Sequence, residues 1–217
     1  MYSLDYSKGT DIISTDSLLS LFRSLSRNYG FVYWWPADSP VEVIEGAVLT
    51  QNTAWKNVEK AMARLRGKTV RQLLSDPELS EKIRPAGFHF QKERYLKNVL
   101  LYFDEKIEGL SLPIDIREEL LKLPGVGRET ADSIALYAFH QRTVPVDAYT
   151  LRLFNRFFGL SISNKNYEMV RAVLSKIFNQ EQLMEFHALI DEHCKLVCKK
   201  IPKCDSCSIR ERCKKNF

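Results

Sequence analysis

Leu120-Leu121-Lys122-Leu123-Pro124-Gly125-Val126-Gly127-Arg128-Glu129-Thr130-Ala131 compresses the end of one helix, a turn and the start of another into twelve residues. The apolar run stops at Leu123 because Pro124 lacks the N–H that would continue a helix. Gly125 and Gly127 let the backbone turn tightly and expose N–H groups with no Cβ in front of them. Together with the start of the second helix, such N–H groups make a site for an anion such as a phosphate. An ordinary helical hairpin with a glycine turn has the same local pattern, so the surroundings must decide between the two.

Outward from the hairpin the sequence reads as helix almost throughout. Leu18, Leu19, Phe22, Leu25 and Tyr29 form one stripe between Asp16 and Tyr29. Ser39-Pro40-Val41-Glu42 is a start signal, with a capping serine, proline at the first helical position and glutamate at the third. Periodicity predicts further helices over 54–65, 69–74, 91–103, 116–123, 128–139, 148–158, 167–178 and 180 to about 194. Strand-type alternation is nearly absent, and Thr143-Val144-Pro145-Val146 is too short and is broken by proline. The predicted class is all-α.

At 217 residues, with 45% hydrophobic and 27% charged side chains, the chain can bury a core and is not of disordered composition. It has no apolar run near the ~20 residues of a membrane helix. Met1 to Tyr6 lacks the basic-then-apolar layout of a secretory signal, which predicts a soluble, cytoplasmic protein without a membrane partner. The net charge of +5 is unevenly spread. From Cys194 onward eight basic residues face only Asp205 and Glu211, giving +6, so the rest of the chain is near −1. A basic segment of this density suggests a polyanionic partner, although a solvated charge run would look alike.

All five cysteines lie in the same segment: Cys194, Cys198, Cys204, Cys207 and Cys213. An intracellular chain disfavours disulfides, so metal ligation is the expected role. Cys204-Asp205-Ser206-Cys207 can hold two thiolates on one centre. Spacing alone leaves zinc and an iron–sulfur cluster both open.

The hairpin, followed by Val146-Asp147 and then by the cysteine loop, resembles the helix-hairpin-helix DNA glycosylases of the endonuclease III superfamily. The resemblance extends from about Pro40 to Cys213. It implies two helical lobes flanking a DNA-binding cleft: 39–146 as a helical barrel carrying the hairpin, and 1–38 with 147–217 as the second lobe. It also implies a [4Fe–4S] cluster on Cys198, Cys204, Cys207 and Cys213, within a loop spanning 198–213. This loop has five residues between its first two cysteines where the family has six. That raises Cys194 as a rival first ligand, but nine residues would then precede the second. Double-stranded DNA with a damaged base would be the partner, bound by a monomer.

The same resemblance assigns roles residue by residue. Gln51 and Asn52 match the stretch that fills the gap left by an extruded base, Phe88 the wedge into the opposite strand, and Gly125, Val126 and Gly127 the phosphate-binding turn. Asp147 matches the catalytic carboxylate that stabilises positive charge growing on C1′, although by position it is also a helix N-cap. Bifunctional relatives carry a lysine after Gly-Arg in the hairpin and attack C1′ through an imine; here that residue is Glu129, which cannot. Lys122, at the end of the preceding helix, is the rival amine. The expected enzyme is therefore a monofunctional glycosylase that leaves an abasic site.

Phe31-Val32-Tyr33-Trp34-Trp35-Pro36 places four aromatics just before the Ser39 helix. Hydrophobic packing would account for any one of them. The Trp-Trp-Pro string, with Gly46 to Thr53 and Arg84 to Phe88, resembles the 3-methyladenine DNA glycosylases of the superfamily, which implies Trp34 and Trp35 as a base pocket. A cationic methylated purine would gain from an aromatic face. The relative that shares this string lacks the cysteine loop, which uracil and thymine-mispair glycosylases keep. The alternatives are thus a uracil, thymine-mispair or oxidised-pyrimidine glycosylase, with or without lyase activity, or a non-catalytic iron–sulfur DNA-binding module.

Overall fold

The computed structural model describes residues 13–32, 35–107 and 115–215. The expected pocket residue Trp34 lies outside them. Among the described residues every regular element is helical: α1 (Thr15–Tyr29), α2 (Pro40–Leu49), α3 (Trp55–Met62), α4 (Val70–Leu74), α5 (Leu79–Ile83), α6 (His89–Ile107), α7 (Ile116–Leu121), α8 (Arg128–Tyr137), α9 (Ala148–Phe158), α10 (Tyr167–Ile177) and α11 (Gln180–Leu196). Short 3-10 turns punctuate the chain, two of them in the cysteine loop at Cys204–Ser206 and Arg210–Arg212. Helix α5 has no counterpart in the sequence reading, because one and a half turns are too short to show a period. Helix α6 runs longer than predicted at both ends.

The chain divides into two bodies, residues 35–141 and residues 1–34 with 142–217. The boundaries therefore differ from those expected at 39 and 146. Trp35 belongs to the middle body because its indole lies over Gly46 of α2 and its ring meets Tyr137 of α8 at 4.9 Å between centroids. Arg142 belongs to the other, donating from Nε to the Phe178 carbonyl (2.9 Å) and from Nη2 to that of Lys176 (3.0 Å).

The middle body is built around α2, whose Val43, Ile44, Ala47, Val48 and Leu49 are all buried. Ser39 Oγ accepts the Glu42 N–H at its start, and Glu42 Oε2 accepts the Asp38 N–H in return (2.8 Å). Helices α3, α6 and α8 pack on α2, and α7 packs on α8 to complete the hairpin. Inside the hairpin Arg117 Nε donates to Asp132 Oδ1 at 2.8 Å, both side chains being buried. Arg117 also pairs through Nη1 with Glu118 Oε1 at 3.0 Å. Glu45, also buried, is pushed up to about 8 by desolvation and by nearby Glu42, so it holds its proton at neutral pH.

The other body packs α1 and α9 against α11. Its core is aromatic, with Phe22 against Phe178 and Phe186 at 5.5 Å each, edge to face. Helix α9 ends at Gly159, in the left-handed conformation that glycine adopts without strain. Beyond α11 the cysteine loop folds back on α9, where the Lys214 N–H reaches the Phe157 carbonyl (3.1 Å).

The two hairpin glycines have different reasons to be glycine. Gly125 sits at φ +91°, and an added Cβ would fall inside the ring of Tyr95. Gly127 has φ −91° and nothing within 4 Å of that position. Gly125→Ala should therefore cost about 2 kcal/mol or more, lowering Tm by about 4–8 °C. Gly127→Ala should stay within about 1 kcal/mol of wild type. Thermal unfolding followed by circular dichroism separates the two; equal melting would show that Tyr95 moves aside freely.

Candidate active site and metal centre

In the middle body the hairpin turn borders a cavity whose walls include Gln51, Asn52, Tyr95, Gly125, Gly127 and Glu129. Gln51 does not reach out of it. Its Nε2 donates to the Gly125 carbonyl (3.0 Å) and to Thr130 Oγ1 (3.1 Å), tying the end of α2 to the hairpin. Asn52 is the exposed polar residue of the pair, held at φ +53°. Val126 contributes no phosphate-binding N–H: its side chain is buried, and its N–H is spent on the Leu123 carbonyl (3.1 Å). Gly127 keeps the open approach expected of it, at the N-terminus of α8.

Among the described residues no lysine lines this cavity; Glu129 stands there instead. Lys122 is turned to Glu119, with Nζ–Oε1 at 2.6 Å, which holds its ammonium above the usual lysine range and so less nucleophilic. Lys92, which sequence reasoning passed over, is buried and donates to the carbonyls of Leu49 and Ala86, at 2.8 Å each. Burial brings it down to about 8. Its role is to pin the segment before Phe88 to the end of α2. Phe88 itself is 67% exposed at φ +48°, a conformation costly for a bulky side chain.

Trp35 is only 9% exposed, covered by Tyr137 and by Trp55, whose ring meets it at 5.7 Å edge to face. It lines neither the hairpin cavity nor the cavity beside α3. Trp55 borders the latter, with Pro36, Glu42, Glu59, Met62 and Arg66. The sequence reading missed Trp55, which looks like an ordinary first residue of an amphipathic helix.

In the other body Asp147 caps α9, its Oδ1 accepting the Thr150 N–H at 2.7 Å. Its side chain is 17% exposed, and Oδ2 lies 3.8 Å from His187 Nε2 on α11. Burial acts to raise its pKa, but His187 and the Thr150 N–H outweigh it, and the carboxyl lies below its ordinary value. It is therefore ionised at neutral pH. One turn beyond His187 on α11, Asp191 is buried and pushed up to about 6 by desolvation, with Lys195 Nζ 2.5 Å from its Oδ2.

Cys198, Cys204, Cys207 and Cys213 share one cavity, walled also by Leu153, Val197, Pro202 and Ile209. Cys194 is not among its walls; buried on α11, its thiol approaches the Tyr149 carbonyl at 3.6 Å. Hydrogen bonding with Cys194 and the Arg156 guanidinium hold Cys198 below the ordinary thiol range, against burial. Among the described residues no three His, Cys, Asp or Glu side chains converge on a single metal ion. Four thiols around an apolar cavity fit a group with several attachment points.

Residues 46–180 match the HhH-GPD superfamily of base excision DNA repair proteins. MJ1434 of Methanocaldococcus jannaschii, named as a candidate DNA repair glycosylase, is 39% identical over 212 residues, covering 91% of this chain and 96% of that protein. Endonuclease III of Sulfolobus acidocaldarius is 32% identical over 184 residues, covering 79% and 80% of the two chains. A solved non-covalent endonuclease III–DNA complex superposes with a TM-score of 0.79 at 25% identity, covering 94% of this chain and 97% of that one. A helical hairpin with a left-handed glycine, an ionised aspartate at the following helix cap and this extent of similarity lead to one conclusion: the chain belongs to the HhH-GPD superfamily and is an endonuclease III-like DNA glycosylase of base excision repair.

Proposed function

We propose that this glycosylase is monofunctional, and that it releases alkylated purines such as 3-methyladenine to leave an abasic site. The observation that carries the first part is the hairpin cavity, which presents the Glu129 carboxylate and no amine among its described walls. With glutamate where bifunctional relatives carry their lysine, C1′ is attacked by water. The N-glycosidic bond breaks with its electron pair leaving on the base, and Asp147 stabilises the positive charge left on the sugar. Water then adds to C1′ and gives up a proton to solvent. A methylated, cationic purine leaves as a neutral base, so no strong acid is needed at the leaving group.

The Trp55 cavity supports the substrate. A tryptophan face with Glu42 and Glu59 beside it suits a flat cation; the third charge, Arg66, lies 3.6 Å from Asp38. The basic residues around the cysteines and the open Gly127 N-terminus support binding of duplex DNA. Cys198, Cys204, Cys207 and Cys213 would hold a [4Fe–4S] cluster. When bound, it would tie four points of the loop together and supply a one-electron centre.

Wild-type protein incubated with a 3-methyladenine duplex should give alkali-labile abasic sites without strand breaks, and borohydride should trap no covalent complex. Glu129→Lys should introduce weak trapping. Efficient trapping by wild type, lost in a lysine variant, would overturn the monofunctional reading. Asp147→Asn still caps its helix, yet base release should fall by about 100-fold or more. If Trp55 faces the base, Trp55→Leu should lose about 0.5–2 kcal/mol on the methylated purine and little on uracil. An equal loss on both would assign Trp55 to packing, and faster release of uracil by wild type would replace the substrate. Metal analysis of anaerobically purified protein should find about four iron and four sulfide per chain; one zinc in a colourless sample would refute the cluster.

A further inference from the structure

The α9 cap fixes only one oxygen of Asp147, the Oδ1 that accepts the Thr150 N–H. An aspartate held at one oxygen keeps a broad torsion about its last bond. The second oxygen faces an imidazole supplied by a different helix, His187 Nε2 at 3.8 Å. We propose that His187 is a positioning residue for Asp147, clamping Oδ2 from α11 while the α9 N-terminus holds Oδ1. The proposal rests on Asp147 being the carboxylate that faces the reacting sugar.

The imidazole is itself held in a row. His187, Asp191 and Lys195 stand four residues apart on α11, so they share one face of the helix. His187 is 5% and Asp191 2% exposed, and Lys195 closes the row with its ammonium against Asp191. Carboxylate, imidazole, carboxylate and ammonium alternate along the row from Asp147 to Lys195. Apolar side chains of equal volume would fill the same space without the cost of desolvating ions. What they could not supply is an imidazole nitrogen 3.8 Å from Asp147 Oδ2. The 3.8 Å separation is an ion-pair distance, and active-site contacts in ligand-free enzymes commonly shorten in the reacting complex.

The test uses the full chain and a duplex carrying whichever of 3-methyladenine or uracil wild type releases faster. His187→Leu should lower the single-turnover excision rate by about 10- to 100-fold. Affinity for an abasic-analogue duplex should stay within about twofold of wild type, because the group acts on orientation at the reacting carbon. His187→Gln, whose amide can still donate, should recover most of the rate. Unimpaired excision by His187→Leu would overturn the proposal, as would loss of rate, affinity and melting temperature together with no recovery by glutamine. Should leucine fail to fold, His187→Gln against His187→Met gives the same comparison, since the two are alike in length and only one donates. Asp147→Asn runs alongside. Full activity in that variant would remove the reading of Asp147 and this proposal with it; an inactive Asp147→Asn beside a fully active His187→Leu would remove this proposal alone.

Discussion

A carboxylate stays ionised at the edge of a protein interior only where fixed donors replace the water it has lost. Asp147 is such a group, and much of its body is arranged around it. The chain before it ends in the buried Val144 and Val146, which deliver the aspartate to the first turn of α9. The aromatic core of α1, α9 and α11 fixes the helices that carry its donors. The cysteine loop is fastened to α9 as well: Arg152 Nε donates to the Cys198 carbonyl (2.8 Å), and Arg156 Nη1 and Nη2 donate to those of Lys199 (2.6 Å) and Lys200 (2.9 Å). The helix that presents the charge at one end thus bears the cysteine segment on its flank.

How much of this the sequence discloses depends on range. The hairpin turn, the Asp147 cap and the four cysteines were readable because each is a local constraint with its own spacing, and the helices because their burial is periodic. The contacts of Gln51, Lys92, Trp55 and His187 were not readable, since each is defined by a partner far along the chain. Gln51 is expected to fill the gap left by an extruded base, and in the DNA-free chain its amide binds Gly125 and Thr130. Lys92 and His187 look in sequence like any polar residue on a helix, and nothing nearby marks them as buried. The pairing of Arg117 with Asp132 is equally invisible, because neither residue sits in a motif. Trp35 and Trp55 show the limit of composition: an aromatic-rich stretch says that rings are present, not which ring backs and which one faces a cavity.

Phe88 carries a consequence of a different kind. Its positive φ and its 67% exposure are both unfavourable for the isolated protein. They persist because Lys92, through the carbonyls of Leu49 and Ala86, leaves the loop little freedom to relax. The backbone that carries the ring is consequently set when the chain folds rather than when it meets a duplex. Under the proposed function, the configurational entropy of aiming a wedge is surrendered once, during folding, and is not deducted from each encounter with DNA.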